Sequence, residues 1–379
     1  MMRYHSGMPS LRATLGTLLF ATALVGAAPP ETRNVIIVTA DGLRRQEIFG
    51  GIDPVLMNQK EAGMADAAAL RKQLWRETPQ QRRAVLMPFF WSTPATKGVL
   101  LGNLAKKSSV KVTNAYRVSY PGYSEILTGR AQDEAIRGND AVQNPTRTVL
   151  EFLRAKLNLS REQVALFGSW SMFSFIGESR PGTILINAGK SELNIPILTP
   201  RLRMLNDLQF RMLMGDDSMR HDYVTFEMAF EYLKTAKPRV MHIAVGETDD
   251  WAHEKNYPRV LDMISQTDGY LRRLWNFLES SPDYRGSTLL VLTADHGRGA
   301  TINDWNSHGS DVVGADQIWA CFIGPGIPAT GEASDTAEVH QRDFAPTILE
   351  QFGIDYTEYA GVKGKPIAFT RLQASAAAR

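Results

Sequence analysis

Apolar residues fall along this chain in two rhythms. Four short runs are apolar at nearly every position and rich in β-branched residues: NVIIVTA (Asn34 to Ala40), VALFG (Val164 to Gly168), VMHIAVG (Val240 to Gly246) and STLLVLTA (Ser287 to Ala294). Such runs suit strands covered on both faces, as in a parallel sheet. Between them lie stretches with helical spacing: RTVLEFLRAKL from Arg147, FEMAFEYLKTA from Phe226 and VLDMISQTDGYLRRLWNFLES from Val260. Strands alternating with amphipathic helices predict an α/β fold, with a mainly parallel central sheet and helices on both faces. There is no internal repeat or low-complexity linker, which favours one domain over residues 29–379. Within it, the polar, Met-rich, Pro-punctuated stretch around 52–101 reads as an insertion running over the active-site face.

The first segment stands apart. Arg3 and Arg12 precede the apolar stretch LGTLLFATALVGAA, which ends in small residues before Pro29 and Pro30. A charged start, a short apolar run and a small-residue exit describe a secretory signal peptide, here residues 1–28. The run is shorter than the ~20 residues a membrane-spanning helix needs, so no membrane anchor is expected after cleavage. A periplasmic or secreted location follows.

That segment carries two arginines and no acid, so its removal takes the formal charge from +2 to zero, with 40 basic and 40 acidic residues. A balanced chain has no global basic field for a nucleic-acid polymer or an anionic membrane. Attraction for an anionic small molecule has to come from local charge. The single cysteine, Cys321, sits in the apolar run IWACFIGPG and reads as a core residue.

In an open parallel sheet, ligands gather outside the carboxyl ends of the strands. Asp41 directly follows the first run, Asp295 and His296 directly follow the fourth, and Asp249 follows the third by three residues. A lone strand-end Asp is usually a helix N-cap. Three of them, two coupled to histidines, point instead to metal ligation. In DDWAHE, Asp249 and His253 are four apart on a first helical turn and share a side. A carboxylate and an imidazole there suit a common metal. Asp250 ranks behind Asp249 because it points elsewhere on the turn. His308, in NSHGS, is the other histidine in a loop-like setting. His242 lies inside an apolar strand and reads as a core histidine. His340 precedes the segment QRDFAPTIL as a cap or supporting group, and His221 has no evident partner.

Ser119 lies in VSYPGYSEILTGR, where Pro121 and Gly122 predict a turn just after it and SEILTG a helix behind it. A hydroxyl at a helix N-terminus also faces backbone N–H groups able to bind oxyanions. Ser124 reads as a helix residue. The aromatic residues of GSWSMFSF, with Trp91 and Trp305, could line a cleft for a base or lipid, though core positions are the commoner use of such clusters.

Together TADGLR, SYPGYSEILTGR, DDWAHE and TADHGRG followed by SHG, in this order and spacing, resemble the alkaline phosphatase superfamily. RDFAPTIL looks like the helix common near the end of those enzymes. The resemblance spans nearly the whole chain and is nearest the nucleotide pyrophosphatase/phosphodiesterase branch, with sulfatases as relatives. It implies that Asp41, Ser119, Asp295 and His296 hold one divalent metal and Asp249, His253 and His308 a second, usually zinc. It implies hydrolysis of a small phosphate ester through a phospho-serine on Ser119, a diester more than a monoester. Sulfatase or phosphonate hydrolase activity, or transfer of a phosphoryl or head group to another acceptor, are the alternatives on the same fold. A phosphate-binding asparagine is expected in the phosphodiesterase branch; Asn139 and Asn144 are the candidates. The chain departs from the sulfatase pattern at Tyr123, where an Arg is usual, and at Asp41-Gly42, where paired aspartates are usual.

Overall fold

The computed structural model describes residues 1–3, 31–64, 67–212 and 214–369. The segment expected to direct export, residues 1–28, lies almost wholly outside the described residues. Among those described, no helix is long and apolar enough to cross a membrane.

The strands are β1 (Asn34–Ala40), β2 (Val99–Leu101), β3 (Val110–Lys111), β4 (Val164–Gly168), β5 (Leu185–Ala188), β6 (Val240–Val245), β7 (Thr288–Thr293), β8 (Gln317–Ile318), β9 (Ala320–Ile323), β10 (Gly331–Glu332) and β11 (Val339–His340). Eight form one sheet in the order β10-β2-β9-β7-β1-β6-β4-β5, and β11-β3-β8 form a small second sheet. Within the large sheet, β7, β1, β6, β4 and β5 run parallel. Only β9 pairs antiparallel, with β7 and β2. The four runs read from hydrophobic patterning are β1, β4, β6 and β7, at the centre of the sheet where both faces are covered.

Side chains alternate across the pleat into two cores. Ile36, Val38 and Ala40 face one core with Phe226, Met228, Leu261 and Leu271, from the helices Asp222–Ala236 and Tyr257–Ser280. Val35 and Ile37 face the other, with Tyr123, Ile126, Leu150 and Ile348. Those come from the helices Ser119–Thr128, Val149–Lys156 and Phe344–Gln351. The fold is therefore a three-layer α/β/α arrangement.

The stretch around 52–101 packs against one face of the sheet. Its Leu56, Met57, Leu86 and Phe90 are buried in the first core, so apolar burial draws it onto one face of the sheet. The backbone N–H groups of Phe89 and Phe90 donate to the Asp268 carboxylate of the long helix, at 3.0 and 2.7 Å. Its last three residues, Val99–Leu101, are β2 of the main sheet.

Candidate metal centre

β1 lies between β6 and β7, with Ala40 opposite Val245 and Thr39 opposite Thr293. The residues that follow these strands therefore emerge side by side. Asp41, Asp295 and His296 form one group whose donor atoms all lie within 4.8 Å of one another, and Asp249, His253 and His308 form a second. In the first, His296 Nε2 is 3.3 Å from Asp41 Oδ1 and 3.5 Å from Asp295 Oδ2. In the second, His253 Nε2 is 3.1 Å from Asp249 Oδ2 and 3.0 Å from His308 Nε2. The groups adjoin, since His296 Nε2 is 3.7 Å from Asp249 Oδ1 and the rings of His296 and His308 stack at 3.9 Å. Ser119 Oγ lies 3.4 Å from His296 Nε2.

The ring nitrogens are oriented for ligation. His296 Nδ1 meets the carbonyl of Gly297 at 2.9 Å, and His308 Nδ1 meets that of Arg117 at 3.1 Å. A carbonyl only accepts, so each Nδ1 carries a proton and each Nε2 is left as the group turned toward the cluster. Burial pushes His308 far below its ordinary range, with the charges of His296, Arg298 and His253 adding to the fall. Burial lowers His253 as well. Neutral imidazoles are the metal-binding form.

The first group holds more negative charge than it neutralises. Burial drives the Asp295 carboxyl well above its usual range, and Asp41 beside it adds to the rise. Burial alone would lower His296, but Asp295 and Asp41 outweigh it and hold that imidazole at about 9. Asp41 Oδ1 and Asp295 Oδ2 are buried and have no hydrogen-bond donor. Two orphaned carboxylate oxygens beside an imidazole nitrogen suit a bound cation, since buried acceptors are otherwise hydrogen-bonded. The donor set of both groups thus fits divalent metals.

The nucleophile candidate is placed differently from the local reading. Pro121 and Gly122 make no turn; the helix runs unbroken over Ser119–Thr128, starting at Ser119. A proline is tolerated in a first helical turn, where its missing N–H would find no intrahelical partner. Few backbone donors remain there for an oxyanion. Tyr120 N–H donates to Asn139 Oδ1 at 2.9 Å, Pro121 has no N–H, and Gly122 N–H donates to Val118 O at 3.0 Å. Asn139, exposed and spanning to the residue after Ser119, keeps its amide NH2 for another partner. Asn144 is not at the site. Its Oδ1 accepts from Gln132 Nε2 and Thr146 N, and its Nδ2 donates to Ile176 O, all at 3.0–3.1 Å in the interior.

Several supports were not legible in the sequence. Tyr123 donates its hydroxyl to Asp41 Oδ2 at 3.1 Å. Thr248 Oγ1 donates to Asp41 O at 2.6 Å, and Gln341 Nε2 donates to Asp295 O at 2.6 Å. Arg298, 1% exposed, bonds Asp249 Oδ1 and the carbonyl of Asn306. It lies in TADHGRG, but nothing in the spelling of that motif marks a cation beside a ligand. Other histidines settle simply. His242 is fully buried, bonded to Thr39 Oγ1 at 3.0 Å, and burial pushes it down to about 3. His221 does have a partner, Glu247 Oε1, at 3.1 Å. Asp250 belongs to neither group; burial and then Asp222 push its carboxyl up to about 8. Phe173 and Trp305 are core, at 1% and 2% exposure, while Trp170, Met172, Phe175 and Trp91 are partly exposed.

Residues 218–356, which contain five of the six grouped donors, match the Metalloenzyme superfamily. The wild-type alkaline phosphatase PafA superposes with a TM-score of 0.58 at 12% identity, over 90% of this chain and 99% of that one. The fold is alkaline-phosphatase-like. A second similar structure is BT1596, a 2-O GAG sulfatase, with a TM-score of 0.58 at 17% identity over 90% of this chain and 74% of that one. No curated protein sequence matches significantly.

Proposed function

We propose that this protein is an exported, two-metal phosphoric ester hydrolase of small molecules that uses Ser119 as its nucleophile. The reading is carried by one juxtaposition: Ser119 Oγ stands 3.4 Å from His296 Nε2, at the edge of a buried donor group that adjoins a second. Bound divalent metals, zinc being the usual choice for carboxylate and imidazole donors, would lower the pKa of the serine hydroxyl and neutralise charge on the ester. Asp41, Asp295 and His296 hold the charge beside the attacking oxygen. Ser119 Oγ attacks phosphorus, the ester oxygen leaves, and a water then cleaves the resulting phospho-serine. Asn139, whose Oδ1 accepts from Tyr120 N–H beside Ser119, would donate its NH2 to a phosphoryl oxygen. A neutral amide in that role, with no arginine at position 123, suits a diester, which carries less charge than a monoester.

A sulfuryl ester is the second reading, supported by the sulfatase likeness of the fold. Gly42 weighs against it. A Cβ there would lie 2.6 Å from Asp249 Oδ1 and 2.8 Å from Arg298 Nε, and the backbone sits at a φ of +56°. An aspartate paired with Asp41 has no room at that position. The deciding experiment is turnover of bis-p-nitrophenyl phosphate, p-nitrophenyl phosphate and p-nitrophenyl sulfate by the wild type and Ser119→Ala. Diester preference is expected, with at least a ~10³-fold loss in the variant at unchanged metal content. Unchanged turnover in Ser119→Ala would sink the nucleophile assignment. Sulfate turnover with a formylglycine mass at position 119 would establish the second reading instead.

A further inference from the structure

Arg298 makes the two donor groups unequal. The Asp41–Asp295–His296 group is sealed, with exposures of 5%, 0% and 0%, and two of its carboxylate oxygens meet no donor. In the other group both Asp249 oxygens are already engaged, Oδ1 by Arg298 Nη2 and Oδ2 by His253 Nε2 at 3.1 Å. The guanidinium is also anchored by Asn306 O and by Asp249 O at 3.2 Å. Behind it, Gly42 leaves just enough space; a Cβ would come within 2.8 Å of Nε. Arg298 is thus buried and held by three oxygens, and a guanidinium does not shed its charge to make room for a metal. The His253 side chain is 49% exposed, so this group also opens to solvent.

We propose that Arg298 is a positioning residue that makes Asp249–His253–His308 the weaker, exchangeable metal site and leaves Asp41–Asp295–His296 as the tight, resident one. The inference rests on the two-metal reading above. A divalent ion at the first group meets two carboxylates whose neighbouring cation, His296, is itself a ligand and gives up its proton as the metal binds. One arriving at the second meets a single carboxylate paired with a fixed positive charge, and the repulsion acts across a buried contact where screening is weak. The same guanidinium holds Asp249 in one orientation, so the site stays built while its metal exchanges.

The test is zinc titration of the chelator-stripped full chain by calorimetry, with bound metal counted after dialysis. Two successive events are expected in the wild type, the second about 10–100-fold weaker, the scale on which outer partners shift metal affinity. Arg298→Gln should tighten the second event toward the first and leave the first unmoved, whereas Arg298→Lys, which keeps the charge, should leave the gap in place. If circular dichroism shows that Arg298→Gln does not fold, Arg298→Met serves as the uncharged variant. Two equal wild-type sites, or an uncharged variant whose second site is unchanged or weaker, would overturn the proposal. No zinc binding at all would instead overturn the two-metal reading beneath it.

Discussion

Tyr123 illustrates how one residue disciplines another at this site. Its ring is fully buried, set against Phe173 with centroids 4.6 Å apart, and its hydroxyl ends on Asp41 Oδ2. Burial, with Asp295 and Asp41 adding, raises that phenol well above its usual range, so it stays a donor at any working pH. The hydroxyl leaves Asp41 Oδ1, the orphaned oxygen, as the atom turned to a cation. Tyr123→Phe keeps the ring and deletes the donor. It should weaken metal binding by roughly tenfold and lower kcat/KM with it, and the unpaired acceptor should cost about 1–3 kcal/mol of stability. Metal titration and denaturant unfolding of the same preparation check both. Wild-type affinity in the variant would mean that Thr248 orients Asp41 without help from the phenol.

At the scale of elements, the contact between the Ser119–Thr128 helix and the loop after β7 sets the distance from nucleophile to ligands. Gly122 makes that contact possible, because a Cβ there would lie 2.3 Å from the backbone oxygen of Asp295. Asp295 has no slack, since its carbonyl also accepts from Gln341. Gly122→Ala should therefore destabilise by at least ~1–3 kcal/mol, the usual scale of overpacking, and lose turnover as Ser119 shifts. A denaturant midpoint equal to the wild type would show that the helix can slide without harm. These elements also mark the limit of what sequence could reveal. The central strands and the acids at their ends were legible because burial on both faces leaves an unbroken apolar run, and the residue after it must lie on the rim. Gly122 was misread because its small size serves a distant carbonyl, not a local turn. The burial of the 52–101 stretch was not legible for a related reason: its apolar residues are too scattered to show a period, yet they find a ready surface in the helix Tyr257–Ser280.

Across the whole molecule, the two donor groups sit where both cores meet at the end of β1. Ala252, inside the Glu247–His253 helix, packs into one core, and Tyr123, one turn after Ser119, packs into the other. A cation held there ties both layers to the sheet, so removing metal should be felt globally and in a pH-dependent way. In the metal-free chain, burial lifts Asp295 well above its ordinary range, and burial with neighbouring acids lifts Asp250 to about 8 and Asp222 to about 7. His296, which burial alone would lower, is held at about 9 by Asp295 and Asp41. Unfolding returns these groups to ordinary values, so from about pH 6.5 to 9 the unfolded chain binds fewer protons than the folded one. Stability of the stripped protein must then fall as pH rises through that window. His242, His253 and His308 are lowered on folding, so their unfolded-state protons offset part of the fall near pH 6.5 and no longer do so above about pH 7.5. Bound metal displaces the ligand protons and should flatten the slope while adding about 4 kcal/mol at a thousandfold excess over Kd. Thermal melts of stripped and zinc-loaded protein at about pH 6.5 and 9 read both effects. Parallel pH dependence in the two forms would mean that the buried acids at the end of β1 are not where the metal sits.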